Sequence, residues 1–226
     1  ADLAFTLWRK QATSLSIKKL EEWFVEYGNQ HPVIKNQFAS DINAIDKLIT
    51  DLCNATLLVR DENDSYRFAH TSYLEFFRAL GWFEAIRTGR FVQNMQQCER
   101  LPEHEALRFL IDWRLATEDD ERAEFDSAFI ALLEQPQQHN VRQFIFECWK
   151  CGQLLDNTFP HSPSPDWQNM EFNDEFIPDT LNHLDFSHAK LNNTHFHHLR
   201  FNQLRLGHAI FDGASLYQCY LHQCEL

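Results

Sequence analysis

Up to about residue 155, apolar residues recur every three or four positions, which is the spacing of an amphipathic helix. One such stretch runs from Asp41 to Cys53, directly after Ser40, a residue type that often caps a helix N-terminus. Its apolar face is made of Ile42, Ile45, Leu48, Ile49 and Leu52. The pattern predicts one amphipathic helix over this stretch.

Two short strands are predicted after this helix, at Thr56–Arg60 and Tyr66–His70, because a polar run typical of a turn separates them. Helical spacing returns from Tyr73 and ends near Gly89. The order helix, hairpin, helix is typical of a winged helix. Further helices are predicted at about 91–100, 102–116, 118–134 and 138–152. Their limits are set by Pro102, Thr117, Pro136 and Gly152.

The segment Thr158–Asp166 holds three prolines in seven residues, so it cannot be helical and is predicted to be a linker. This divides the chain into a winged-helix-like domain at 1–90, a helical domain at 91–155, a linker at 156–166 and a C-terminal domain at 167–226.

Beyond the linker the period changes to five. The apolar residues at this spacing are Leu181, Phe186, Leu191, Phe196, Phe201, Leu206, Phe211, Leu216, Leu221 and Leu226. A second row, mostly small or apolar, stands two residues before each of them. A period of five fits neither a helix nor an ordinary strand. It fits a square coil of 20 residues per turn, in which both rows point to the axis and successive turns lie about 4.8 Å apart.

This region resembles the pentapeptide-repeat family, whose pattern is A-(D/N)-L-x-x. The small residue before the centre is present in Asn-Asn-Thr-His-Phe196 and in Gly-Ala-Ser-Leu216, whereas Leu184, Leu199 and Leu204 depart from the pattern. The resemblance implies a right-handed quadrilateral β-helix. The predicted fold class is therefore α+β: an N-terminal helical region with a winged-helix hairpin, followed by this β-helix.

A second resemblance lies in the hairpin and the helix after it. Residues 66–80 resemble the F-x-H-x-S-F-Q-E-F-x-A-A stretch that closes the winged-helix domain of NACHT proteins, which are signalling NTPases of the STAND class. The matching residues are Phe68, His70, Ser72, Tyr73, Glu75, Phe76 and Ala79, whereas Leu74 replaces the usual Gln. In that family the motif His contacts the β-phosphate of bound ADP and helps to hold the inactive conformation, so the resemblance assigns this role to His70. The simpler interpretation is that His70 caps the next helix or packs in a core.

The six glycines exclude several phosphate and nucleophile motifs. None of their spacings fits a Walker A loop, a dinucleotide-binding fingerprint or a G-x-S-x-G elbow. We therefore expect a chain that is not itself an enzyme and holds no cofactor. The resemblance to NACHT proteins implies a longer parent ATPase or GTPase whose upstream part holds ADP or ATP with Mg. The resemblance places the chain in that parent as a regulatory or sensing segment.

Charge and cysteine content limit the classes of binding partner and indicate the cellular location. The formal net charge of −13 disfavours nucleic-acid binding, and the sequence has no apolar run of 18 residues that would span a membrane. The six cysteines lack the dense spacing of a secreted scaffold, which indicates a cytoplasmic protein.

Two pairs of side chains have weak metal-binding character. Cys148 and Cys151 have half of a zinc-like or redox-like spacing, but buried thiols are the simpler interpretation. The square coil would stack His188 on His208, which makes two ligands at most, so an exposed polar ladder is favoured.

The predicted square coil is expected to be a surface for a protein partner or for self-association. Leu226, itself a centre, would leave its last turn unfinished and an apolar end uncovered, so either the natural chain continues or a partner or a second copy covers this end. The alternative function is an acidic DNA mimic that inhibits a topoisomerase, since residues 166–226 hold 8 acidic and 3 basic residues. An independent enzyme is a third class, and no group of residues in the sequence supports it.

Overall fold

The computed structural model describes residues 1–31, 36, 43–55, 57–95, 101–135, 137–156, 158–162, 164–172, 181–182, 184–197 and 199–224. The helices in these ranges are α1 Asp2–Arg9, α2 Ile17–Gln30, α3 Ala44–Asn54, α4 Thr71–Arg87, α5 Phe91–Met95, α6 His104–Ala116, α7 Asp119–Glu134 and α8 His139–Leu155. The strands are β1 Ser14–Ser16, β2 Leu58–Arg60, β3 Ser65–Phe68, β4 Glu171–Phe172, β5 Leu181–Asn182, β6 His195–His197, β7 Arg200–Asn202, β8 Ser215–Tyr217 and β9 Tyr220–His222.

The chain divides into two compact units, Ala1–Gly81 and Trp82–Leu226. Helices dominate, and the described strands are two to four residues long and lie in three small sheets of three strands each. The predicted fold class, with a quadrilateral β-helix after the linker, is therefore wrong. The chain has a mixed, helix-rich fold with small sheets, and neither "pentapeptide repeat" nor "solenoid" describes it.

The first unit contains an antiparallel sheet in the order β1-β3-β2. In its β2–β3 turn the Asp61 carboxylate accepts hydrogen bonds from the backbone N–H groups of Asn63 and Ser65, at 2.9 and 3.0 Å, and Asp64 has a φ of 55°. Asp favours such a turn because its side chain bonds the backbone two residues on. The turn sets Leu58 opposite Phe68, and both are buried in the core. The predicted helix, hairpin and helix of this region correspond to α3, β2, β3 and α4.

The helices of the second unit pack through aromatic side chains. Phe83 stacks on Phe125 with ring centroids 4.8 Å apart, and Trp82 meets Phe144 edge to face at 5.0 Å. Offset-stacked and edge-to-face contacts are the arrangements that aromatic rings prefer. The proline-rich segment after α8 is packed against these helices, since Phe159 is only 4% exposed.

The C-terminal strand stack comprises residues 184–224 together with β4 and β5. Its two parallel sheets have the strand orders β4-β6-β8 and β5-β7-β9. Phe196 lies opposite Leu216 and Phe201 opposite Leu221, so apolar residues 20 apart are in register. Residues with positive φ follow the short strands and bridges, among them His188, Asn193, Gln203, His208, Gln218 and Gln223. Because these turn residues end each pairing after one to three residues, the register builds only small sheets.

One end of the strand stack is covered by α8. Trp149 on this helix lies 5.6 Å from Trp167 and 5.2 Å from Phe186, between ring centroids. Phe146, one turn earlier, meets Trp167 edge to face at 5.2 Å. All four rings are at most 2% exposed, so this end of the stack is sealed by an aromatic cluster.

Candidate functional site

His70 is the exposed N-cap residue of α4, at the junction with β3. Its carbonyl oxygen accepts hydrogen bonds from the backbone N–H groups of Tyr73 and Leu74, at 3.1 and 3.4 Å. Its ring Nδ1 accepts the backbone N–H of Ser72 at 3.1 Å. A side-chain acceptor for the N2 amide is the contact that defines an N-cap. The helix-capping role that the sequence left open for His70 is therefore present.

Of the other motif residues, Phe68 and Ala79 are buried, Ser72, Glu75 and Phe76 are partly buried, and Tyr73 is exposed. Phe68 is 8% exposed and packs against Phe77 with ring centroids 5.8 Å apart, and Ala79 is buried. Tyr73 is 41% exposed and meets the His70 ring edge to face at 6.3 Å. The motif therefore places an imidazole and a phenol side by side at the surface, above an apolar core.

Cys148 and Cys151 are buried thiols on α8. Burial raises the pKa of Cys148 well above its ordinary value and raises that of Cys151 to about 11. A zinc or redox thiol needs the opposite shift, because the thiolate is the ligand and the nucleophile. Over the described part of the chain no group of three His, Cys, Asp or Glu residues is placed to hold a metal ion.

His188 and His208 are brought together at the surface of the strand stack. Their rings are stacked at 4.9 Å with an interplanar angle of 20°, and both residues have a φ of 60°. Near-parallel rings direct their nitrogen lone pairs side by side instead of towards one point. The pair therefore has the geometry of an exposed ladder, which is the interpretation that the sequence favoured.

The apolar residues spaced five apart become more exposed from one end of the strand stack to the other. Phe186, Leu191, Phe196 and Phe201 are at most 3% exposed. Leu206 and Phe211 are partly buried, and Leu216 and Leu221 are each 51% exposed. Leu181 lies in β5 opposite Phe201, and Leu226 lies outside the described residues.

The far end of the strand stack is therefore an apolar opening, here called the open end. It contains a cavity of about 290 Å³, whose lining includes Phe196, Phe201, Leu206, Phe211, Leu216 and Leu221. Tyr217 and Tyr220 flank it and are 54% and 69% exposed. The absence of charged residues marks this surface in the sequence, although the five-residue period does not. Residues 213–224 contain no Asp, Glu, Lys or Arg.

A second apolar cavity, of about 300 Å³, lies in the first unit. Its lining includes the aromatic residues Trp23, Phe24, Tyr27, Phe68 and Phe77. Trp23 and Tyr27 are stacked at 4.9 Å, one turn apart on α2. No sequence motif marks this cavity, because its lining residues are spread over the sequence from 1 to 77.

Among the described helices, none combines the length and the apolar character needed to cross a membrane. Comparisons with protein-family models, with curated proteins and with solved structures gave no match to this chain.

Proposed function

We propose that this chain is a non-catalytic regulatory segment of a cytoplasmic NACHT-type signalling NTPase. In this proposal His70 reports on the nucleotide of the parent protein by donating a hydrogen bond to a phosphate oxygen. The observation that supports it is the position of His70: exposed, at the β3–α4 junction, with Nδ1 occupied by the Ser72 N–H. The other ring nitrogen, Nε2, makes no hydrogen bond within the described ranges, and the residue is exposed.

The phosphate-binding loop belongs to another part of the parent in this proposal. The chain has six glycines and no Walker A spacing among them. ADP or ATP with Mg would therefore be held by the parent's nucleotide-binding domain. The isolated chain is expected to hydrolyse no ATP, and micromolar ATP binding by calorimetry would contradict the proposal.

The decisive experiment separates the two roles of His70 in the full-length parent. His70→Asn keeps an acceptor in place of Nδ1 for the helix cap but has no group in place of Nε2. We expect this variant to lose bound ADP faster and to raise basal activity, while its melting temperature stays near that of the wild type. His70→Ala removes both roles and serves as the matched comparison. Unchanged ADP retention in both variants would remove His70 from the mechanism.

The open end of the strand stack is the proposed interaction surface, for a protein partner or for self-association. It combines half-exposed Leu216 and Leu221 with a stretch of 12 residues, 213–224, that has no formal charge. Protein interfaces have this composition at their centre, with aromatic residues enriched and charged residues depleted. Sedimentation equilibrium over a wide concentration range tests self-association. Leu221→Glu should abolish it, whereas Gln218→Glu, an exposed neighbour that does not line the cavity, should not.

The DNA-mimic alternative has less support from the distribution of charge. Residues 166–226 hold 8 acidic and 3 basic residues, but only two of the acidic ones, Asp185 and Asp212, lie in 184–224, where all three basic ones, Lys190, Arg200 and Arg205, are found. Asp185 also lies 3.8 Å from Arg205, between carboxylate oxygen and guanidinium nitrogen. A surface that imitates the phosphates of DNA needs an excess of exposed negative charge, which these residues do not provide.

A further inference from the structure

Among the residues that the structure describes, the imidazole of His70 is hydrogen-bonded through Nδ1 alone, and this bond determines where the proton of the neutral ring lies. A backbone N–H can only donate, so the 3.1 Å bond from Ser72 N to Nδ1 requires a lone pair on Nδ1. A neutral imidazole with a lone pair on Nδ1 carries its proton on Nε2.

We infer that the backbone amide of Ser72 is the positioning group of the proposed nucleotide contact, because it holds His70 as the Nε2–H tautomer with its donor directed outward. The inference rests on the proposed function, which needs a donor and not an acceptor at the outer nitrogen. It adds the requirement that the proton is restricted to Nε2 only while the first turn of α4 is formed.

The geometry makes the tautomer and the helix start depend on each other. The same residue accepts the N–H groups of Tyr73 and Leu74 through its carbonyl and that of Ser72 through its ring. If the first turn of α4 unwinds, Nδ1 loses its donor and the proton is no longer restricted to Nε2. Tyr73 limits the ring further, since it meets the imidazole edge to face at 6.3 Å.

The test uses the 226-residue chain labelled with ¹⁵N, at about pH 8, where an ordinary imidazole is neutral. Two-bond ¹H–¹⁵N spectra distinguish a protonated ring nitrogen from an unprotonated one, and His70→Gln assigns the signals. The wild type should show one protonated Nε2 and one unprotonated Nδ1. Ser72→Pro removes the N–H within the first helical turn, where proline is tolerated. It should bring the two nitrogen shifts towards each other, whereas Ser72→Ala, which keeps the N–H, should leave them unchanged.

A wild-type ring protonated on Nδ1, or identical spectra for Ser72→Pro and Ser72→Ala, would overturn the inference. Hydrogen exchange provides a second measurement if Ser72→Pro does not fold. The Ser72 amide should exchange about three to ten times more slowly in the wild type than in His70→Ala, as one hydrogen bond of about 1 kcal/mol requires. Equal exchange rates would also overturn it. These readouts do not involve nucleotide, so they succeed or fail independently of ADP retention in the parent.

Discussion

Arg114 on α6 and Asp156 after α8 form an ion pair in which Nη1 lies 2.7 Å from Oδ2, with both side chains at most 4% exposed. The same guanidinium binds both carboxylate oxygens of Asp126 on α7, through Nε and Nη2 at 2.6 Å each. Its Nη2 also donates to the Thr158 carbonyl oxygen at 3.0 Å. One buried cation therefore joins two helices to the start of the proline-rich segment.

Replacing Arg114 by Ala is expected to lower the free energy of unfolding by about 3–5 kcal/mol, because Asp156 would be left charged and buried without its partner. Urea unfolding followed by circular dichroism measures this loss. The control is Arg108→Ala, since Arg108 is 54% exposed and 3.9 Å from Glu105. An exposed pair of this kind contributes at most about 1 kcal/mol. Equal effects of the two substitutions would contradict the role given to Arg114.

Gly152→Ala is expected to be destabilising by about 1–3 kcal/mol, the usual cost of overpacking a core. A Cβ at position 152 would lie 2.3 Å from two carbons of the buried Phe159 ring, so either the ring or α8 has to move. Gly207→Ala is the matched control, because its Cβ would meet only the Ser187 hydroxyl at 3.9 Å. Thermal unfolding should show a lowered midpoint for Gly152→Ala and a nearly unchanged one for Gly207→Ala.

The helices between residues 41 and 155 were predictable from the sequence because their apolar residues repeat at the period of the helix itself, whereas α1, α2 and β1 were not predicted individually. The predicted ends at 116 and 134 coincide with the ends of α6 and α7, and Pro102 precedes α6 by two residues. The hairpin was predictable because Asp61 begins a polar run between two apolar runs. The buried partners of Arg114 were not predictable, since they come from residues 12 and 42 positions away and no local pattern joins them.

The strand stack shows where the period gives correct pairing and a wrong fold class. A period of five correctly placed Phe196 and Leu216 in register, but it carried no information on how many residues each strand would keep. Turn residues with positive φ, such as His188 and Gln203, limit the length of each strand. Over the described residues, helices also contain more residues than strands do. The row alone does not distinguish the exposed Leu216 from its buried centres, because all of them have the same apolar character, and only the unfinished last turn at Leu226 indicated an uncovered end. The capping role of His70 was one of the interpretations open from the sequence, whereas the ring nitrogen that accepts the Ser72 amide required the coordinates.

Cys151 predicts how stability changes with pH. Burial raises the pKa of its thiol to about 11 from an ordinary value of 9.0. The unfolded chain therefore releases this proton at a lower pH than the folded chain does. Its stabilising contribution is complete below pH 9 and is lost as the pH rises towards 11, with about 1 kcal/mol lost between pH 8 and pH 10. Cys151→Ser has no thiol to titrate, so its unfolding free energy should fall less over this range. Parallel pH profiles for the two proteins would contradict the prediction.

The strongest comparison for the strand stack uses one substitution at its two ends. Leu191→Ala and Leu221→Ala remove the same atoms from the same row, but Leu191 is fully buried and Leu221 is 51% exposed. Leu191→Ala should cost about 2–5 kcal/mol, since it removes buried methyl groups and leaves a cavity. Leu221→Ala should cost about 1 kcal/mol, because roughly half of its apolar surface is in contact with water before the substitution.

The concentration of the protein then distinguishes a solvated open end from a covered one. If the open end is exposed to water, the difference between Leu191→Ala and Leu221→Ala should be the same at every protein concentration. If a second copy covers it, the cost of Leu221→Ala should grow with concentration towards that of Leu191→Ala, because binding to the folded state adds to its stability. Chemical unfolding at 1 µM and at 100 µM measures both values. A large and concentration-independent cost at Leu221 would contradict both cases and would mean that this leucine is buried within the single chain.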